Sequence, residues 1–138
     1  MSFTDYLEDA LLKHVFTNTS YTSPTTVYVG LHTSADTDAS AGTELSGNGY
    51  ARQSASFSVS GTNPTEAATT AAIEFGPNTT SDWGTVSYAA VYDASSGGNR
   101  LAWAQLTDPS DFSTALPKAI AVGDVFRISA GNLKVRLD

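Results

Sequence analysis

Asp36, Asp38 and Ser40 stand at alternate positions in the stretch ADTDASAGTELSGNG (35–49), with Glu44 close behind. Oxygens at this spacing open calcium loops, because the ion gathers six or more of them from a tightly coiled chain. Counted from Asp36, such a loop requires Gly at its sixth place and a bidentate Glu at its twelfth. Those places hold Ala41 and Gly47, and Glu44 falls ninth. The segment that follows, GYARQSASF, is patterned as a strand and not as an exiting helix. The stretch therefore reads as a solvated loop between strands that binds no metal. Its glycines at 42, 47 and 49 let the chain curl before it extends again.

The remaining chemical inventory is thin. The two histidines are His14, in a helical segment, and His32, at a strand end. Separated by a proline-containing loop, they form no metal-ligand pattern, and each reads as a satisfied or exposed side chain. Serine is abundant, yet the strained G-x-S-x-G elbow that activates a nucleophile is missing. Asp108 and Asp111 sit in DPSD, where Asp serves local backbone hydrogen bonds. SGNGY and SSGGN lack the lysine and following helix of a phosphate loop. No residue is therefore assigned a catalytic, cofactor-binding or metal-ligating role, and the chain is read as a non-enzyme without cofactors. Asn18 and Asn78 begin glycosylation sequons, expected by chance in a Thr-rich chain. Trp83, Trp103 and the six tyrosines fit core and interface anchoring first, and a carbohydrate platform second.

Composition narrows the class further. The chain has 138 residues, net charge −7 and 15% charged residues, with Ser and Thr making about a quarter of it. A hydroxyl-rich surface suits strands, where Thr is favoured. The seven Lys and Arg are scattered, apart from a local concentration in RISAGNLKVRLD, so no basic face for nucleic acid is expected. Without cysteine there is no disulfide framework, iron–sulfur cluster or thiolate zinc site. MSFTDYLEDALLKHVF carries early acids and no long apolar run, so it is read as neither a secretory leader nor a membrane span.

The elements that hold these residues divide near residue 25. Before it, Phe3, Leu7, Leu11 and Val15 repeat at i+4, flanked by Leu12 and Phe16. Ser2 and Asp5 have capping-box spacing, which predicts a helix within 1–18. Its apolar face is expected against the domain's own sheet, with docking onto a partner protein as the alternative. After it come short strands: 25–32, 50–60, 71–75, 84–93, 100–106, 124–129 and 132–138. They are separated by GPNTTSDWG, ASSGGN, DPSD and SAGN. Glycine-bearing turns predict one hairpin over VYDASSGGNRLAW and a second over FRISAGNLKVRL. In the last strand Leu133, Val135 and Leu137 should face one way, Lys134 and Arg136 the other. This pattern predicts one domain spanning 1–138: an N-terminal helix, then a mostly β, antiparallel sandwich or jelly-roll-like body over 25–138.

VYVGLHTSADTDASAGTELSGNGYAR, taken whole, resembles a family of small structural proteins of tailed phages that carry the tail fibre label. YLEDALLKHVF resembles the family's opening helix. DWGTVSY and YDASSGGNRLAWAQL resemble its Trp-Gly strand and Asp-Ala hairpin, so the likeness runs along nearly the whole chain. It implies a virion component without catalysis, made in the host bacterial cytoplasm and carried on the particle's exterior. Self-association is expected, as a trimer first and a dimer next, through the helix face or the C-terminal strand. Other virion proteins, such as the major capsid or tail proteins, are the expected partners. A fibre shaft needs length or repetition, and the chain has neither. Capsid decoration (cement) is therefore expected ahead of a tail fibre or tail-tip role, with a carbohydrate-binding module third.

Overall fold

The structure, a computed structural model, describes residues 1–137. Its elements, in chain order, are β1 (Ser2–Phe3), α1 (Asp5–Phe16), β2 (Val27–His32), β3 (Gln53–Ala55), β4 (Phe57–Ser60), β5 (Thr65–Thr69) and β6 (Ile73–Phe75). There follow β7 (Gly84–Val86), β8 (Tyr88–Tyr92), β9 (Arg100–Gln105), β10 (Lys118–Ile120), β11 (Phe126–Ile128) and β12 (Lys134–Leu137). The fold is mostly β with one helix, as its patterning predicts. Asp138, the end of the strand expected over 132–138, lies outside the described residues.

A five-stranded antiparallel sheet runs in the order β1-β9-β8-β2-β3. Its middle strands read VYVGLH and YAAVY and are buried almost throughout, so both faces must be covered. Val29, Leu31, Ala89 and Val91 point into the hydrophobic core. Period-two alternation turns Gly30, His32, Ala90 and Tyr92 to the opposite face, and these are buried too. The expected hairpin over VYDASSGGNRLAW is present as β8 and β9, with a register shift between Val91 and Tyr92.

The second layer is a β12-β5-β4 sheet, prolonged by the β11-β6 pair. Ile73, Phe75, Phe126, Ile128 and Leu133 carry its side of the core. Tyr50 stacks on Phe75 with ring centroids 6.2 Å apart and meets Trp83 edge-on at 5.7 Å, so both aromatics serve packing. The two-stranded β10-β7 pair closes one end.

Here the structure corrects the second predicted hairpin. β11 and β12 do not pair with each other; β11 pairs with β6 and β12 with β5. From Ile128 to Lys134 the chain takes six steps while its partner takes five, from Ile73 to Ala68. Gly131, at φ 79°, thus serves a bulge in one long ribbon, a use its sequence signature shares with a hairpin turn. The C-terminal cations meet carboxylates across this ribbon. Arg127 opposes Glu74, and Arg136 opposes Glu66, which also holds Lys134 at 3.2 Å.

Other departures are local. β1, β5 and β10 carry no strand signal in the sequence: two or three residues show no period, and TEAAT lacks β-branched residues at its centre. The strand expected over 50–60 breaks at Ser56, and that over 84–93 breaks at Ser87. The helix begins at Asp5, and its cap is Thr4, not Ser2. Ser2 is drawn into β1 against Trp103, while Thr4 accepts from the Leu7 N–H and donates to the Arg100 carbonyl at 2.6 Å.

The helix also sits differently from expectation. Leu7 packs against the core, but no residue of α1 is buried. Leu12, Val15 and Phe16 are 59%, 67% and 77% exposed. Only the first turns rest on the sheet; the apolar stripe continues outward with nothing over it.

Candidate functional site

The acidic stretch folds as a roof over the outer face of the five-stranded sheet, and the carboxylates of Asp36 and Glu44 point inward. Asp36 is 3% exposed and His32 is fully buried. This corrects the reading of a solvated loop. His32 Nδ1 lies 2.9 Å from Oδ1 and 2.8 Å from Oδ2 of Asp36, and Nε2 lies 2.9 Å from the Tyr92 hydroxyl. The neutral tautomer with its hydrogen on Nδ1 satisfies both contacts: the ring donates to Asp36 and accepts from Tyr92. Arg100 reaches Asp36 Oδ1 at 2.6 Å, and the Gly42 N–H donates to the same oxygen at 2.8 Å. Burial alone would raise the Asp36 pKa; the hydrogen bonds from His32 and Gly42 and the charge of Arg100 outweigh it and hold the carboxyl below its ordinary value.

A second cluster lies beside the first. Arg52 donates to both oxygens of Glu44, each at 2.7 Å, and to the carbonyls of Ala94 and Gly97. Its guanidinium carbon sits 3.3 Å from the Tyr92 ring centroid. Tyr50 donates to Glu44 at 2.8 Å and accepts from the Leu31 N–H at 3.0 Å. Burial would raise the Glu44 pKa, but the bonds from Arg52 and Tyr50 win and lower it. Burial pushes the Tyr92 phenol up to about 12.

Glycine makes the close approach possible at two places. A Cβ on Gly30 would stand 2.9 Å from Glu44 Oε1, and one on Gly42 would run into the Ser34 carbonyl oxygen. Asp38 completes the brace. Its carboxylate accepts from Trp103 Nε1 at 2.8 Å, and its carbonyl accepts the Asp5 N–H at 3.2 Å, one of the donors α1 cannot satisfy internally. The loop thus fastens β2, β9 and the helix start together. Of the oxygens that suggested a cation site, Asp36 Oδ1, both oxygens of Glu44 and Asp38 Oδ1 are bonded to His32, Arg100, Arg52, Tyr50 and Trp103, and Ser40 to Thr37; Asp36 Oδ2 makes no hydrogen bond.

The other sequence candidates are dispersed. His14 is exposed and accepts the Tyr21 N–H at 3.2 Å. Asp108 and Asp111 bond their own loop, through Ser110 and through Ser113 and Thr114; the Thr114 and Ser113 bonds bring Asp111 down to about 2. Trp83 is buried and donates to the Asn48 carbonyl, while Trp103 is half-buried beside Tyr88. Asn78 is buried, so that sequon is no sugar acceptor in the folded chain. No helix among the described residues is long and apolar enough to cross a membrane.

What sequence reasoning missed is a surface. An apolar groove of about 260 Å³ opens where the two layers part, walled by Phe3 and Leu7 on one side and Val59, Val135 and Leu137 on the other. Thr65 is its sole polar lining residue among those described. Val59 is 72% exposed and Leu137 56%. As expected, β12 turns Val135 and Leu137 to one side, here into this groove, and Arg136 to the other. The period-two signal was legible, but the gap it lines is made by strands from opposite ends of the chain.

The chain matches the family described as Podophage GP4 fiber I protein gp80 over residues 2–136, and it belongs to that family. It is accordingly a phage fibre-type structural protein, a component of the virion. A search of curated proteins returns no match.

Proposed function

We propose that this protein is a non-enzymatic building unit of a podophage fibre, carried on the outside of the particle in several copies, with three as the favoured number. The observation that carries the reading is the uncovered apolar surface, made of the groove and the outer half of α1, on a chain from a fibre family. Surface of this kind on a structural protein marks a contact with other chains. The absence of catalysis is supported by the pairing of His32 with Asp36 and Tyr92, and of Glu44 with Arg52 and Tyr50, beneath the loop. The chain acts as a knob or joint in this reading, since a shaft needs repetition that it lacks. Other virion proteins are its neighbours; neither nucleic acid nor membrane is a partner.

Capsid decoration is the second reading, favoured by the compact, unrepeated chain. Copy number per purified virion separates the two. Single digits to low tens support the fibre unit; hundreds of copies would assign the chain to the capsid lattice and overturn the first reading.

A further inference from the structure

We propose that the cleft between the β9 end of the five-stranded sheet and the β11–β12 ribbon is a binding site for a carboxylate-bearing saccharide. The cleft measures about 670 Å³, within the size range of sites that take a discrete ligand. It lies across β12 from the apolar groove: Lys134 and Arg136 line the cleft, while Val135 and Leu137 line the groove. Lys118 and Arg127 complete a set of four cations, out of seven in the whole chain. No Asp or Glu lines the cleft among the described residues, although the chain has 14 of them. Cations spread over β10, β11 and β12 thus make one positive wall on a protein of net charge −7. The neighbouring carboxylates leave that charge in surplus. Lys134 and Arg136 share Glu66, and Lys118 forms no ion pair among the described residues. Arg127 meets Glu74 only at 3.5 Å with both side chains exposed, a pairing that an incoming carboxylate replaces at little cost.

Aromatic faces and amides stand beside the charge. Phe112 is 44% exposed at the cleft, with Lys134 Nζ 5.1 Å from its ring centroid, and the half-buried Trp103 forms part of the wall. Phe112 has φ 53°, a left-handed conformation uncommon for a bulky residue. Asp108 and Asp111 hold its loop through Ser110, Ser113 and Thr114, and so fix where the ring stands. Gln105 and Asn132 add exposed amide donors and acceptors. A guanidinium grips a carboxylate through two parallel bonds, and a flat aromatic takes the apolar face of a sugar ring. An acidic peptide added as a strand fits less well, because backbone in the walls is already engaged. β1 covers β9 at Trp103, Leu106 bonds Ser87 and Leu116, and the Met1 nitrogen donates to the Lys134 carbonyl at 3.3 Å. The ligand is therefore read by side chains. A saccharide is favoured over a nucleotide because of the exterior position in the proposed function, and this step alone rests on that reading.

Calorimetry on the full chain tests the site with three acidic probes: oligomers of galacturonate, of hyaluronan and of sialic acid. One or more should bind, and the neutral methyl ester of the best probe should bind about tenfold more weakly. Lys118→Gln/Arg127→Gln should weaken that probe by about tenfold as well. Both side chains are exposed, so the melting temperature should stay unchanged. Phe112→Asn keeps a residue that tolerates positive φ and should also weaken the saccharide. Hexaglutamate and a thymidine hexanucleotide, acidic but lacking a carboxylated sugar, should bind less tightly than the best saccharide. No binding of any of the three probes at millimolar concentration would overturn the site, as would binding unchanged by methyl esterification or by the double substitution. Tighter binding of hexaglutamate or of the oligonucleotide would overturn the saccharide and give the cleft to an acidic peptide or to nucleic acid. Copy number on the particle is a separate measurement, so the fibre reading stands or falls independently of these results.

Discussion

Asp36→Ala tests the roof most directly. The substitution removes the acceptor for His32, Arg100 and the Gly42 N–H at once, leaving a guanidinium whose side chain is only 8% exposed without its carboxylate. Breaking a buried ion pair by removing one partner costs about 3–5 kcal/mol. Arg100 keeps the Thr37 and Asp38 carbonyls, which places the loss toward the lower end, about 3 kcal/mol. Domains of this size are stable by roughly 5–15 kcal/mol, so such a loss is a sizeable fraction of the total. At roughly 4 °C per kcal/mol, the midpoint of thermal unfolding should fall by about 12 °C. Thermal melts by circular dichroism at pH 7 read this, with Asp38→Ala as the exposed comparison, expected to lose about 1 kcal/mol with the Trp103 bond. Millimolar calcium should leave the wild-type melt where it is. A loss below about 1 kcal/mol for Asp36→Ala would refute the energetic account of the roof. A calcium-dependent rise in melting temperature that disappears in the variant would show that the loop holds a cation after all.

Two further outcomes follow from the same loop. Asp36 and Glu44 both have folded pKa values below their unfolded ones, so their contribution is fully present above the ordinary carboxylate range and is lost as pH falls through the folded values. Melting temperature should therefore drop steeply below about pH 4, and the Asp36→Asn/Glu44→Gln double variant should show a shallower drop there; parallel curves would contradict the assignment. Gly42→Ala forces a methyl group into the Ser34 carbonyl and should destabilise the fold by about 1–3 kcal/mol, read by denaturant melts, with Gly47→Ala as a comparison free of that clash although it carries the cost of a positive φ.

Much of the architecture could be read from residue order. The change from i+4 to alternate spacing near residue 25, the apolar runs of β2 and β8, and the β8–β9 hairpin are local signals. Local backbone geometry alone produces them, because a strand repeats every two residues and a helix every 3.6. The likeness in VYVGLHTSADTDASAGTELSGNGYAR likewise pointed to the phage fibre family that residues 2–136 match. The same stretch also suggested a metal question, and there residue order could go no further than counting oxygens.

Tertiary structure alone decided what those oxygens meet. Arg100 lies 64 positions from Asp36, and Tyr92 lies 60 from His32, so no spacing rule links them. Their encounter depends on the loop folding back over the sheet, which a close backbone approach at Gly30 and Gly42 permits. The second hairpin failed for a related reason: glycine at positive φ permits either a reversal or a bulge, and the choice went to β5 and β6, more than fifty residues upstream. The groove follows the same logic. Leu7, Val59 and Leu137 each carry an ordinary local signal, and only the pairing of β12 with β5 and of β1 with β9 sets them around one gap. Periodicity reports which face of an element is apolar; what lies against that face is a property of contacts between distant segments.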